Sequence, residues 1–308
     1  MSILVCGSMA YDSIMVFRDY FKNHIMPDQI HKLSVAFYTP EMEKNFGGTA
    51  GNIGHNLNLL KTNFFIMSTV GTDFDTYSDW LQKRKINTKY IKKLSDQFTA
   101  QAFITTDLDD NQITAFHPGA MTQSEVNSLS DISENIEIVL ISPDGKEGMI
   151  KHANEAYNKK IPFIFDPGQG LPMFNEQELK DFIEKATYIT VNDYEAELLS
   201  KNSHMSLDEI QKKVDALIIT KGSSGSTIMT SSDKIQIPAF NVENPVDPTG
   251  CGDAYRAGIA FGIVNNWDWE KSGKLASALA SLKVNHKGGQ NHNPSIDEIQ
   301  SLAGFNIN

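Results

Sequence analysis

The chain has 308 residues, 40% of them apolar and 21% charged, with a formal net charge of −11. That composition supports a sizeable core, while the acidic balance argues against nucleic acid or an anionic membrane surface as a partner. Two cysteines, no metal-ligand spacing among eight histidines and no apolar run near the ~18 residues of a membrane span exclude a disulfide framework, a structural zinc site and a membrane anchor.

Residues 2–7 form a short apolar run ending in Gly7-Ser8, which reads as a first buried strand. With no basic region before it, this start is a strand rather than a signal peptide, and the two thiols read as reduced in a cytoplasmic protein. Phe64–Val70 reads as a strand, Asp73–Lys85 as a helix, Glu137–Ser142 as a strand and Lys146–Lys159 as a helix. Pro162–Asp166 follows as a strand, Glu176–Ala186 as a helix, and Thr187–Val191 and Ala216–Thr220 as further strands. Such alternation predicts an α/β fold: a mostly parallel central sheet in a three-layer α/β/α arrangement. Ligands then gather at the carboxyl ends of the strands, where Asp166, Asn192 and Lys221 fall.

Two stretches, about 13–38 and 98–117, break this rhythm with β-rich sequence and no long helix. Thr99–Thr106 and Gln112–His117 flank the turn-rich Asp107–Asn111 and predict a hairpin. Both stretches are expected to form a small β-sheet lid on a single domain spanning 1–308.

The most informative segment is Asp247-Pro-Thr-Gly-Cys-Gly-Asp253, directly before the apolar run Ile259–Val264. A glycine-bearing turn opening a buried helix offers free backbone N–H groups at a positive dipole end, a place for an anion. Asp253 stands beside those donors. A carboxylate there suits a base that takes a proton from a hydroxyl attacking a phosphoryl group. With only Arg18, Arg84 and Arg256 in the chain, phosphate binding must rest on lysine, backbone N–H groups, a metal ion or these few side chains.

Weaker motifs surround it. Gly47-Gly-Thr-Ala-Gly-Asn52 reads as a tight turn into a helix, or as a backbone that approaches a small substrate with Asn52 contacting a hydroxyl. Asn192 and Glu195 lie three apart at a helix start; the default reading is a cap, and the functional one orders the waters of Mg2+. Thr220-Lys-Gly222-Ser-Ser-Gly225 is a turn between strands, or a nucleotide-phosphate loop, and is no P-loop. Asp12 follows the first strand and could accept two sugar hydroxyls. His117-Pro-Gly and Asp166-Pro-Gly-Gln169 are turns that could touch substrate.

Taken in order, Gly7–Asp12, Gly47–Asn52, Asn192–Glu195, Thr220–Gly225 and Asp247–Asp253 resemble the ribokinase-like (PfkB) family of carbohydrate and nucleoside kinases over essentially the whole chain. Thr105–Gly119 and Phe165–Pro172 are similar to its bacterial adenosine and broad-specificity nucleoside kinase branch. The resemblance implies ATP and Mg2+, Asp253 as base for a ribose 5′-hydroxyl, and an anion hole of Gly250, Cys251 and Gly252. It implies Asp12, Gly48 and Asn52 at the ribose, and Asn192, Thr220, Gly222 and Gly225 at ATP. It further implies Asn192 and Glu195 around Mg2+ through water, and admits K+ at Asp247 and Thr249 and a homodimer. Phe103, His117 and Gln169 are candidates for base recognition.

The family often has alanine at Cys251, and ribokinases show Gly-Gly-Lys-Gly-Ala-Asn where this chain has Gly-Gly-Thr-Ala-Gly-Asn, which disfavours free ribose. The leading reading is phosphorylation of adenosine, with inosine, guanosine and cytidine as further acceptors. A sugar or sugar-phosphate kinase is the alternative, and no basic cluster for a sugar phosphate is evident. A non-catalytic binding protein would lack Asp253 or the glycines of the hole, and both are present.

Overall fold

The apolar runs read as buried strands lie side by side. In the computed structural model, which describes residues 2–26, 32, 34–109 and 111–307, the chain begins with β1 (Ile3–Cys6), β2 (Ala10–Val16), β3 (Glu41–Gly47) and α1 (Thr49–Leu59). It continues through β4 (Phe64–Val70), α2 (Asp75–Lys83), β5 (Ile91–Lys93), β6 (Ala100–Thr106), β7 (Gln112–His117), β8 (Ile138–Ile141) and α3 (Lys146–Asn158). Next come β9 (Phe163–Phe165), α4 (Glu176–Lys185), β10 (Tyr188–Asn192), α5 (Asp193–Ser203), α6 (Leu207–Gln211) and β11 (Ala216–Thr220). The hairpin β12 (Ser226–Thr230) and β13 (Lys234–Ile237) leads to α7 (Cys251–Val264), α8 (Trp269–Lys283) and α9 (Ile296–Ala303).

The large sheet runs β13-β12-β11-β10-β9-β8-β1-β4-β5. Its strands are parallel from β11 to β5, and only the β12–β13 edge is antiparallel. Strand β1 shows why helices cover both faces. Its side chains alternate across the sheet: Ile3 and Val5 join Ile53 and Leu57 of α1 and Ile259 of α7 in one core layer. Leu4 and Cys6 join Met149 of α3, Leu179 of α4 and Leu199 of α5 in the other. A strand apolar on both faces needs a helix layer on each, so the expected three-layer α/β/α arrangement follows.

A second, four-stranded sheet has the order β3-β2-β6-β7, with β2 antiparallel to β3 and parallel to β6. The expected hairpin is β6–β7. The first irregular stretch, about 13–38, holds only the end of β2, which begins at Ala10, and β3 lies beyond residue 38. Its sequence Glu-Met-Glu-Lys-Asn is charged and exposed, so it lacks the apolar alternation that marks a strand. Part of that stretch, residues 27–31 and 33, lies outside the described residues, as does residue 110 in the β6–β7 loop. Among the described residues no helix is long and apolar enough to cross a membrane. Both cysteines are free thiols.

Candidate active site

The glycine turn opens a helix as expected. Gly250 caps α7 with φ +79°, left-handed backbone that a side chain would strain. The N–H groups of Gly250, Gly252 and Asp253 have no partner among the described residues, and they collect at the positive end of α7. Cys251 departs from expectation: its N–H donates to the Pro248 carbonyl at 3.0 Å, closing the turn, and so does not join the hole. Its thiol is pushed up to about 11, mainly by burial.

Asp253 stands in the first turn of α7 and is oriented from outside the helix. Asn52 of α1 donates Nδ2–H to Asp253 Oδ2 at 2.8 Å, while Asn52 Oδ1 accepts from Gln290 at 3.1 Å. Gln290 also donates to the Tyr77 hydroxyl, which in turn donates to the Gly47 carbonyl at 2.8 Å. Burial pushes the Asp253 carboxyl up to about 6; Arg256 and the Asn52 amide pull it down, while Asp12 and Glu195 push it up. A group poised there ionises just below neutral pH, the range suited to a general base.

One turn further along α7, Arg256 is buried, with Nε 2.5 Å from Asp166 Oδ2 and Nη2 3.8 Å from Glu195 Oε2. Its Nη1 would lie 2.6 Å from a Cβ on Gly252, so this glycine gives the guanidinium room beneath the hole. Sequence reasoning noted Arg256 without assigning it a place. The available signal was its scarcity and its spacing from Asp253, and only the fold reveals Asp166 as its partner.

Across from this helix start lies one face of the small sheet. Register places Asp12 opposite Asn45 and Ala102, and Ala102 opposite Phe116. Asn45 bonds Asn291 at 2.9 Å, in the loop that also carries Gly289 against Asn52, so this face looks toward Asp253. Asp12 is pushed up to about 6 by burial and by Asp247. Gly48 caps α1 with φ +83°, its backbone against Ser8, Met9 and Ala10.

Phe103 pairs with Ser13, and His117 with Gln101; both therefore project from the face opposite Asp12. The assignment of these two side chains to base recognition is corrected accordingly. Ile14, Ile104 and Phe116 share the face of Asp12 instead, a parity that the hairpin register carries. Gln169 is exposed in the short turn after β9, beside α5.

Asn192 and Glu195 form a reciprocal cap on α5: Asn192 Oδ1 accepts from Glu195 N at 2.7 Å, and Glu195 Oε2 from Asn192 N at 2.8 Å. The structural reading of the pair therefore holds. The Asn192 amide, Glu195 Oε1 and Asp166 Oδ1 (a buried acceptor without a partner among the described residues) lie outside that cap and suit the waters of a hydrated Mg2+. Thr220 ends the adjacent β11, and the loop to β12 turns through Gly222 and Gly225. Among the described residues nothing would lie within 4 Å of a Cβ at Gly222, so its backbone is open to a ligand. Asp247 Oδ1 accepts from Thr249 N at 2.8 Å and Oδ2 from Gly288 N at 2.7 Å.

The arrangement pairs unpartnered N–H groups at a helix N-terminus with a hydrogen-bonded carboxylate of raised pKa. The sequence pattern of the pfkB family of carbohydrate kinases matches residues 8–296. A nucleoside kinase of Methanocaldococcus jannaschii is 37% identical over 262 residues, 84% of this chain and 86% of its own length. A ribokinase of Bacillus subtilis is 28% identical over 83% of this chain and 87% of its own. The solved structure of a Burkholderia thailandensis nucleoside kinase in complex with inosine is similar with a TM-score of 0.88 and 46% identity, covering 98% of this chain and 96% of that one.

Proposed function

The chain belongs to the pfkB family of carbohydrate kinases, and we propose that it transfers the γ-phosphoryl group of ATP to the 5′-hydroxyl of a nucleoside. The observation that carries this reading is the Asp253 carboxylate, held by Asn52 at 2.8 Å in the first turn of a helix where the N–H groups of Gly250, Gly252 and Asp253 have no partner among the described residues. As the acceptor oxygen bonds to the γ-phosphorus, the bond to the β,γ-bridging oxygen breaks and ADP leaves with its electron pair. The acceptor proton passes to Asp253. Charge growing on the phosphoryl oxygens meets the N–H groups of Gly250, Gly252 and Asp253.

Thr220, Gly222, Gly225 and Asn192 would line the ATP site, with Gly222 leaving its backbone open. Mg2+, when bound, neutralises phosphate charge, and Asn192, Glu195 and Asp166 would hold its waters. Asp12, Gly48 and Asn52 would hold the ribose hydroxyls, with the small sheet as a lid over them.

The small-sheet face that carries Asp12 favours a nucleoside over a sugar phosphate. Ile14, Ala102, Ile104 and Phe116 make it apolar, its outer strand adds Glu43 and Glu41 (the latter ion-paired with Arg18), and no lysine or arginine occurs among its strand residues. Such a surface suits a neutral base and repels a second phosphate. Inosine complexed with the Burkholderia relative supports a purine nucleoside as acceptor. The test is initial-rate assay with ATP and Mg2+ across adenosine, inosine, guanosine, cytidine, ribose and fructose. A nucleoside should give the highest kcat/KM; preference for ribose or fructose would replace this reading with a sugar kinase.

A further inference from the structure

A lysine head group is seldom fully buried, because removing an ammonium from water is costly unless acceptors surround it. Lys283, the last residue of α8, is 0% exposed. Its Nζ donates to the main-chain carbonyls of Asp247 at 2.7 Å and His286 at 2.8 Å. Both residues belong to the framework of the anion hole. Asp247 lies three positions before Gly250, and its own N–H donates to the Val284 carbonyl at 3.1 Å. Its two carboxylate oxygens accept from Thr249 N and Gly288 N. Hence Lys283 fastens the turn that presents Gly250 and Gly252 to the end of α8 and to the 284–288 loop.

These contacts bear on K+ at Asp247 and Thr249. A monovalent cation there would need hard oxygen ligands, the Asp247 carbonyl first among them. That carbonyl is held by an ammonium, and both carboxylate oxygens are held by backbone N–H groups. A second positive charge so close to Nζ would be repelled, so the residues present do not fit K+.

We propose that Lys283 is the built-in cation of this site: its ammonium permanently occupies the place at the Asp247 carbonyl that a diffusible monovalent cation would take, and turnover needs no K+. Lys283 is a positioning residue, acting on the phosphoryl group only through the turn it holds. The inference rests on the phosphotransfer reading for its effect on rate, but the cation site itself can be tested without any acceptor.

The experiment compares wild type with Lys283→Ala, which leaves room for an ion, in tetramethylammonium buffer with and without KCl or NH4Cl. Two readouts are taken: nucleoside phosphorylation and thermal melting. Wild type should change turnover by less than about twofold on adding K+. Lys283→Ala should lose about tenfold or more in kcat, the scale of one lost charged hydrogen bond, with K+ or NH4+ restoring part of it. K+ should raise the melting temperature of the alanine variant and leave that of wild type in place, since only a protein that binds the ion is stabilised by it.

Stimulation of wild type by K+ of about tenfold or more, the factor expected if one charged contact were missing, would overturn the proposal. So would an alanine variant that keeps its K+-free turnover, or one whose loss no cation restores in either readout. If the variant does not fold, the wild-type comparison decides. Absence of phosphorylation with every acceptor, alongside K+-dependent melting of the variant alone, would sink the kinase reading and leave the cation site standing.

Discussion

Replacing Arg256 by methionine tests whether the charge network under the anion hole is built as described. The Arg256 side chain is 7% exposed and that of Asp166 2%, so the pair is shielded from water. Methionine keeps much of the stem volume but leaves Asp166 with neither oxygen paired, since Oδ1 already lacks a partner among the described residues. Breaking a buried pair from one side costs about 3–5 kcal/mol, and the second orphaned oxygen places this case in the upper half of that range. For a chain of this size the melting temperature should fall by on the order of ten degrees.

Asp166→Asn/Arg256→Met removes both charges, and it should melt above Arg256→Met alone, because coupled residues are not additive. Differential scanning fluorimetry of wild type, both single variants and the double closes the cycle. An Arg256→Met protein that melts within about two degrees of wild type, about what a single lost kcal/mol would cause, would refute the reasoning. Strict additivity of the two single variants would refute it equally.

Three further outcomes follow from the site. The rate of phosphoryl transfer should fall as pH drops through about 6, because Asp253 must be ionised to accept a proton and burial raises its pKa to that value. Asn52→Leu removes a donor that stabilises the carboxylate, so the acid limb of kcat/KM should move to higher pH; an unmoved limb would detach Asn52 from the base. Phe116→Ala should raise the nucleoside KM by about tenfold or more while Phe103→Ala leaves it nearly unchanged, burial of an aromatic being worth about 1.5–3 kcal/mol. The reverse ranking would mean that the opposite face of the small sheet meets the substrate.

Much of the large sheet was legible because its strands are apolar on both faces and bounded by turns; β4 and β11 have the limits read from sequence. Helix α7 was equally plain, since Gly250 ends the loop and an apolar run follows. Strand β3 escaped because an exposed, charged strand has no hydrophobic period. Helix α8 escaped for the opposite reason: Ser272, Gly273, Ala276, Ser277 and Ala278 are buried on several sides, so small residues replace an amphipathic stripe.

At the site, Asp253, Asn52 and the glycine turn were readable from residue types in order. What was missing depends on three-dimensional closure. Cys251 N–H is spent on a turn that composition does not reveal, and strand parity decides between Phe103 and Phe116. Arg256 and Lys283 look like ordinary helix-surface cations until Asp166 and the Asp247 carbonyl arrive from elsewhere in the chain.

The central claim is that Asp253 removes the proton of a nucleoside hydroxyl. Asp253→Asn keeps the shape beside Asn52 but cannot accept that proton. Calorimetric titration with inosine paired with single-turnover phosphorylation of inosine by ATP and Mg2+ separates binding from chemistry. The account predicts inosine affinity close to that of wild type and a rate lower by a factor on the order of 10² or more. A variant that phosphorylates inosine at near wild-type rate would contradict it.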